Sequence, residues 1–417
     1  MLGPLRELNA KQWRAFIAAF LGWTLDAFDF FLVTFVVTRI ATDFNRAIPE
    51  VAFAITITLM LRPLGALIFG MFADKYGRRG PLMASVLIYS VVELATAFSP
   101  SFTIFIVLRG LYGIAMGGEW GVGAALALET LPTRARGLAS GILQQGYATG
   151  YLIAAAVFGL FFETIGWRGM FVIGCLPALL VLYIRSQVEE SPSWRAGQAK
   201  PLAERLNLWT SFLKQPMLYV YAVLLMASFN FLSHGSQDLY PTFLTKQRAF
   251  DPHTVAIVTI IVNIGAILGG TLFGGLSQRF GRKRTILVAC VLGICTIPLW
   301  VGAPSIALLA FGGFLIQFFV QGAWGVIPAH LNELSPGDVR GTFPGFTYQL
   351  GNLISAGSAQ IEAAYAATLK TPAGGADYGH ALMVIMIGVF ISVFILTAVG
   401  PERRGVEFVS EPLAETG

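Results

Sequence analysis

Twelve long apolar runs constrain this 417-residue chain more than any other feature. They lie at 13–40, 50–73, 81–99, 101–130, 137–164 and 167–186, then at 215–245, 253–278, 284–303, 304–334, 341–366 and 379–400. A helix crossing the hydrocarbon core of a bilayer needs about 20 apolar residues, so the runs predict twelve transmembrane helices. A barrel strand would alternate over about ten residues, and these runs do not alternate. With short loops the helices use nearly the whole chain and leave no room for a soluble catalytic domain. Only 12% of the residues are charged, about half the usual 25% or so, too few to coat a water-soluble surface. The 46 Gly and 20 Pro do not indicate disorder in a chain that is 55% hydrophobic. The first run is too long for a signal-peptide core. The polar stretch 187–214 divides the chain into halves, 1–186 and 215–417. The expected fold class is an all-α membrane protein of two six-helix bundles.

Lys and Arg placement orients the helices. With the N-terminus inside, twenty of the 28 basic residues fall on cytoplasmic segments, among them Lys75, Arg78, Arg79, Arg134, Arg136, Lys200, Arg205, Arg282, Lys283, Arg340, Arg403 and Arg404. The outer side receives only Arg39, Arg46, Arg168, Lys246, Arg248 and Lys370, and Arg62 and Arg109 fall inside spans. Both termini are therefore expected in the cytoplasm. The net charge of +5 is explained by topology, and no nucleic-acid partner is expected. Cys175, Cys290 and Cys295 lie in apolar runs without paired or metal-ligand spacing. They read as small core residues, and neither metal nor cofactor is expected.

The two halves repeat at a constant offset of 204. Gly77-Arg78-Arg79 aligns with Gly281-Arg282-Lys283, and Trp120-Gly121 with Trp324-Gly325. Glu129, Pro132, Arg136 and Gly137 align with Glu333, Pro336, Arg340 and Gly341, and Gln145 with Gln349. Two six-helix halves of the same orientation are the parallel repeat of a transporter, with the substrate site between them near the midplane.

The segment Gly70-Met-Phe-Ala-Asp74-Lys-Tyr-Gly77-Arg78-Arg79 resembles the loop 2–3 signature of the major facilitator superfamily, and Gly274 to Lys283 is a weaker copy. Arg109 to Trp120 resembles the fourth-helix motif of that superfamily, and Pro401-Glu402-Arg403-Arg404-Gly405 its usual ending. The resemblance covers nearly the whole chain and implies the major facilitator fold. Arg residues near a helix C-terminus complement its partial negative charge. Asp74 is the one acid in its loop. Asp74, Arg78, Arg79, Arg136, Arg282 and Arg340 are therefore candidate gating residues that would latch the two halves on the cytoplasmic side.

Ionisable groups buried in a span are expensive and are functional candidates. Asp26 and Asp29 share one face of the first helix. Two carboxylates this close repel when both are ionised, which suits them to carrying a proton; the alternative is a structural partnership with Arg or backbone. Arg62, at the centre of the second span beside Pro63, needs an anion. That anion is Asp26 or Asp29 in the empty protein and a substrate carboxylate, held bidentately, in the loaded one. Glu119 follows Gly117-Gly118 and either carries a proton or holds an Arg. Arg109 lies nearer the outer end of the same span.

In the seventh span Asn230, His234 and Asp238 recur every four residues, a polar stripe about 12 Å long that Ser233 and Gln237 widen. In a bilayer it must face a cavity or a polar partner. His234 can change charge near neutral pH, and Asp238 lies one turn away as a partner for its protonated ring. The string Asn230-Phe-Leu-Ser233-His234-Gly-Ser236-Gln237-Asp238 resembles the seventh-helix signature of the fungal lactate permeases, which belong with bacterial sialate permeases to the sialate:proton symporter branch of the superfamily. The resemblance implies proton-coupled uptake of a small monocarboxylate of the lactate or pyruvate type. Asn230, His234 and Asp238 would act on substrate and proton, and Arg62 would anchor the carboxylate. Gln349 matches a position tied to substrate choice; with its repeat mate Gln145, and with Gln237 and Asn352, it completes the substrate set. Bacterial sialate permeases carry extra spans mid-chain. The stretch 187–214, with Pro192 and Pro201, has no room for them, and this favours a small acid over sialic acid.

The protein is thus expected to be a monomeric, multi-pass carrier of the plasma membrane, in bacteria the inner membrane, with protons, a small carboxylate and lipid as its partners. Another organic-acid symporter, or an exporter of the same superfamily, shares the architecture. A membrane enzyme would need a catalytic constellation, and none of the usual motifs is present.

Overall fold

The computed structural model describes residues 3–198, 207–372 and 374–408; Lys200, Pro201 and Arg205 of the middle stretch lie outside them. The first helix, Ala10–Asp43, starts at Asn9, whose side chain accepts from the Gln12 amide while Gln12 accepts from the Asn9 amide. This reciprocal cap satisfies two of the backbone donors that every helix start leaves free. The second and third helices are Ile48–Tyr76 and Arg79–Ala97. The fourth, Phe102–Gly117, continues as Glu119–Thr130 after a break at Gly118. Residues 136–187 form the fifth and sixth passes, which meet at a corner at Gly166 (φ +63°). At this corner the Trp167 indole donates to Asp43 (2.6 Å) and Arg168 to the Ala97 carbonyl (2.7 Å), so the corner lies level with the ends of the first and third helices.

The seventh pass runs from Pro216–Gln237 through a short irregular turn to Gln247. The eighth to tenth are Pro252–Phe280, Arg282–Gly302 and Ile306–Trp324, the last extended by Ile327–Leu334. The eleventh is Phe343–Ser355 and Ser358–Thr368, and the twelfth Tyr378–Val399. Among the described residues, ten helical segments are long and apolar enough to cross a membrane. One of them, 133–187, holds two passes, and the eleventh pass is too polar and too interrupted to qualify. The architecture is therefore twelve helices and all-α, and no strand occurs among the described residues. Large apolar side chains such as Met217 (77% exposed) and Leu160 (73%) stand on the outside. Lipid tails are as apolar as the interior, so this surface carries no penalty in a bilayer.

The repeat is also visible in three dimensions. Gly77 and Gly281 both adopt φ +100° at the second-to-third and eighth-to-ninth turns. Ser101 and Ser305 cap the fourth and tenth helices by accepting from the third amide onward. A Cβ at Gly65 would overlap the Ile114 carbonyl, and one at Gly269 the Phe318 carbonyl. The second and fourth helices, and the eighth and tenth, thus touch backbone to backbone at the same repeat position. Asp251 begins the eighth helix. It accepts from the Thr254 hydroxyl, the Thr254 amide and the His253 amide, and these bonds hold its carboxyl below the usual range.

Both termini emerge on one face, here the terminal face, where the halves meet through direct hydrogen bonds. Ser140 donates to the Gly325 carbonyl and accepts from the Ala329 amide. The short helix Pro192–Gln198 lies across this face: Ser193 donates to the Phe408 carbonyl and Trp194 to the Asp74 carbonyl.

Candidate functional site: a central cavity backed by buried charge

A cavity of about 420 Å³ lies between the halves, on the far side from the termini. An aromatic cluster packs behind the lining, where Trp23 stacks 5.5 Å from Tyr147. Tyr348 packs 4.6 Å from Trp120, 5.8 Å from Trp324 and 6.5 Å from Trp23. Phe30, Phe31, Tyr147 and Tyr151 line one wall, with Gln144 and Gln145 beside them.

The opposite wall is a lattice of amides and hydroxyls. Gln237 donates to Ser233 (3.1 Å) and to Gln317 (3.2 Å), and Gln317 donates to Ser236 (2.7 Å). Gln321 donates to Ser233 (3.3 Å). The His234 ring stands between two partners, Asp238 on Nδ1 (3.2 Å) and Asn352 on Nε2 (3.4 Å). His234, Gln237, Asp238 and Gln145 line the cavity. Asn230 does not. Its amide bonds the Met226 carbonyl of its own helix at 2.8 Å. The Trp324 indole donates to the carbonyl of Phe229, the residue before Asn230. Gln349 is buried without a hydrogen-bond partner and lies outside the lining.

Behind the aromatic wall the first six helices bury four acids and two arginines. Arg62 pairs with Asp26 at 3.2 Å, both nearly inaccessible. The arginine thus has its anion, and it sits behind the cavity lining rather than in it. Arg109 pairs with Glu93 at 2.5 Å and lies 3.9 Å over the Tyr112 ring, inside its own bundle and away from the cavity. Asp29 and Glu119 are buried with no hydrogen-bond partner on any carboxyl oxygen. Glu119 is therefore not holding an arginine; it packs against Gly22 of the first helix.

The expected gating residues gather on the terminal face. Asp74 accepts from the Gly341 amide (2.7 Å), the Thr342 amide (3.1 Å) and the Thr342 hydroxyl (2.5 Å), at the start of the eleventh helix. Its repeat mate Gln278 accepts from the Gly137 amide at 3.1 Å. Arg78 pairs with Glu129 at 3.0 Å and Arg282 with Glu333 at 2.8 Å, repeat-related and buried. Arg136 and Arg340, one from each half, hold the Phe408 ring between them at 3.6 and 3.9 Å. Arg79 stands apart. It donates to the Arg185 carbonyl at the end of the sixth helix, within its own half.

Sequence reasoning missed Glu93 and Glu362, single acids in otherwise apolar runs, although the rule that flagged Asp26 applies to both. It also missed the amides Gln144, Gln317, Gln321 and Asn263, which look unexceptional until the fold turns them inward. No cluster of residues able to hold a metal ion occurs among the described residues.

Residues 19–359 and 239–407 match the profile described as Major Facilitator Superfamily. A carboxylic acid transporter protein homolog of Saccharomyces cerevisiae is 32% identical over 96% of this chain and 70% of its own length. The sialic acid transporter NanX of Escherichia coli is 28% identical over 96% of both chains. The match runs nearly end to end, so this relative and the present chain are of similar length. Among solved structures, a proton:xylose symporter superposes with a TM-score of 0.74 at 18% identity, covering 95% of this chain and 97% of its own, which bears on the fold alone. The twelve helices, the internal repeat and these matches agree: the chain belongs to the Major Facilitator Superfamily, a family of multi-pass membrane transporters rather than enzymes.

Proposed function

We propose that the protein is a proton-coupled importer of an organic carboxylate, working as a monomer by alternating access between its halves, 1–186 and 215–417, with 187–214 as their cytoplasmic link. The terminal face is the cytoplasmic one, in bacteria that of the inner membrane, and the cavity opens outward. The observation that carries this reading is the pairing of His234 with Asp238 and Asn352 in the cavity wall, opposite a dry layer in which Arg62 is neutralised by Asp26 alone. A protonated Asp26 releases Arg62 to a substrate carboxylate. Asp29 and Glu119, which have no cation or donor in contact, are suited to hold protons, since an unpaired buried charge costs several kcal/mol. Gln145 and Gln237, which line the cavity, orient the acid, and Asn352 holds the His234 ring in place. The contacts of Asp74, Arg78, Arg136, Arg282 and Arg340 close the cytoplasmic side and must open for release. Counterflow of labelled lactate in liposomes tests the anchor: Arg62→Ala is expected to abolish it, and unchanged counterflow removes Arg62 from that role.

The sequence resemblance points to lactate or pyruvate. A cavity of about 420 Å³ with a lattice of amides favours a larger, hydroxylated acid as a second reading, since this is the size range of drug-like ligand sites, roughly 300–1,000 Å³. Thermal stabilisation by lactate, pyruvate, acetate and sialic acid separates the two. A shift with sialic acid alone supports the larger substrate.

A further inference from the structure

Glu362 belongs to the second segment of the eleventh helix, Ser358–Thr368, beyond the break that follows Ser355. It is 1% exposed, and neither carboxyl oxygen has a hydrogen-bond partner. It faces Gly235 of the seventh helix, the residue between His234 and Ser236. A Cβ on Gly235 would come within 2.8 Å of Glu362 Oε1 and 3.1 Å of the Met386 sulfur. The missing side chain is therefore a window, and through it the carboxyl reaches the seventh helix beside the histidine. Two helices pack on this segment. The seventh carries His234 beside Gly235, and Asp238, three residues after Gly235, shares the face of the helix that meets Glu362. The twelfth presents Met386; its ionisable residues, Tyr378 and His380, lie about two turns away at its end.

A carboxylate buried without a cation or donor is costly, whereas the neutral acid is tolerated. Asp238 differs: it is 39% exposed and has the His234 ring as partner. We infer that Glu362 is a proton-binding residue of the transport site, storing in a dry position the proton that Asp238 and His234 take up from the cavity. In the transfer the O–H bond of the Asp238 carboxyl breaks and one forms on the Glu362 carboxylate. The exposed acid becomes ionic beside His234 and the buried acid becomes neutral, with no change in total charge. The inference rests on the reading that transport is proton-coupled.

Proteoliposomes containing a trapped pH dye report protons taken up per labelled acid, with lactate and sialic acid as the probes. Glu362→Gln is expected to lose gradient-driven accumulation at least tenfold, to lose a much smaller factor in acid-for-acid exchange, and to take up fewer protons per acid. Glu362→Asp is expected to restore proton uptake. Wild-type protons per acid in Glu362→Gln would overturn the assignment and leave the coupled reading standing. A wild-type protein that moves either acid without protons would overturn both. If Glu362→Gln does not fold, Gly235→Ala and the infrared carboxyl band decide. Displacing the carboxyl should shift the pH dependence of that band, and an unshifted band overturns the proposal.

Discussion

The two halves share a scaffold but differ in buried charge. At the offset of 204, Asp26 and Arg62 correspond to Asn230 and Ala266, and Glu93 and Arg109 to Ile297 and Gly313. Both of these ion pairs are matched in the second half by positions at which both charges are gone. Replacing both partners of a buried pair is often nearly neutral, whereas removing one strands a charge. The comparison teaches that these pairs are separable from the fold: one half does without them, while the Gly65 and Gly269 contacts and the Arg78–Glu129 and Arg282–Glu333 pairs are kept in both. What is kept twice is architecture. What occurs once is the buried charge of the Arg62–Asp26 and Arg109–Glu93 pairs.

The largest effect expected is that of Arg62→Ala, which leaves Asp26 alone and should cost about 3–5 kcal/mol of stability. The double variant Asp26→Asn with Arg62→Ala, which copies the second half, should recover most of that stability in thermal unfolding yet remain inactive in counterflow. A double variant as unstable as the single would break the comparison. Gly65→Ala and Gly269→Ala test the shared scaffold. Each drives a methyl into a carbonyl and should destabilise by about 2 kcal/mol, to a similar extent; a large inequality would show that the halves do not bear load equally.

A smaller and asymmetric effect is expected at the terminal face. Asp74 accepts three hydrogen bonds from the other half as a charged group, and Gln278 accepts one as a neutral amide. Bonds to charged groups are worth roughly 1.5–3 kcal/mol against 0.5–1.5 for neutral ones. Asp74→Asn should therefore increase cysteine-label access from the cytoplasmic side several-fold more than Gln278→Ala does. Equal increases would mean that the charge adds nothing. The smallest effect is that of Phe408→Ala, which removes the ring held between Arg136 and Arg340 and should cost about 1 kcal/mol, read as a modest rise in the same labelling.

Much of the fold was legible because a bilayer leaves a chain few options. Unsatisfied backbone groups in hydrocarbon force helices, so the apolar runs place all twelve passes to within a few residues. The breaks were less visible. Gly118 and the Ser355–Ser358 interruption lie inside runs whose hydropathy continues across them. In the site, Asp26, Arg62, His234 and Asp238 stood out because charge is rare in a span, and the structure pairs them as Arg62–Asp26 and His234–Asp238. Four-residue spacing suggested that Asn230 shares their cavity, but spacing does not show that its amide turns back to the Met226 carbonyl of its own helix, outside the lining. Arg109 carried no visible partner in its own run; the fold brings it to Glu93, sixteen residues earlier.

The sequence by itself determined the membrane-spanning class, the number of passes, the repeat and the short roster of intramembrane charges. These follow from local composition, from periodicity and from the solvent that apolar runs require. Tertiary structure alone decided which acid each arginine neutralises and which acids, Asp29, Glu119 and Glu362, are left dry and unpaired. It also decided which unremarkable glutamines face a common cavity. Those outcomes depend on how separate helices rotate and cross, and a one-dimensional pattern does not encode that rotation.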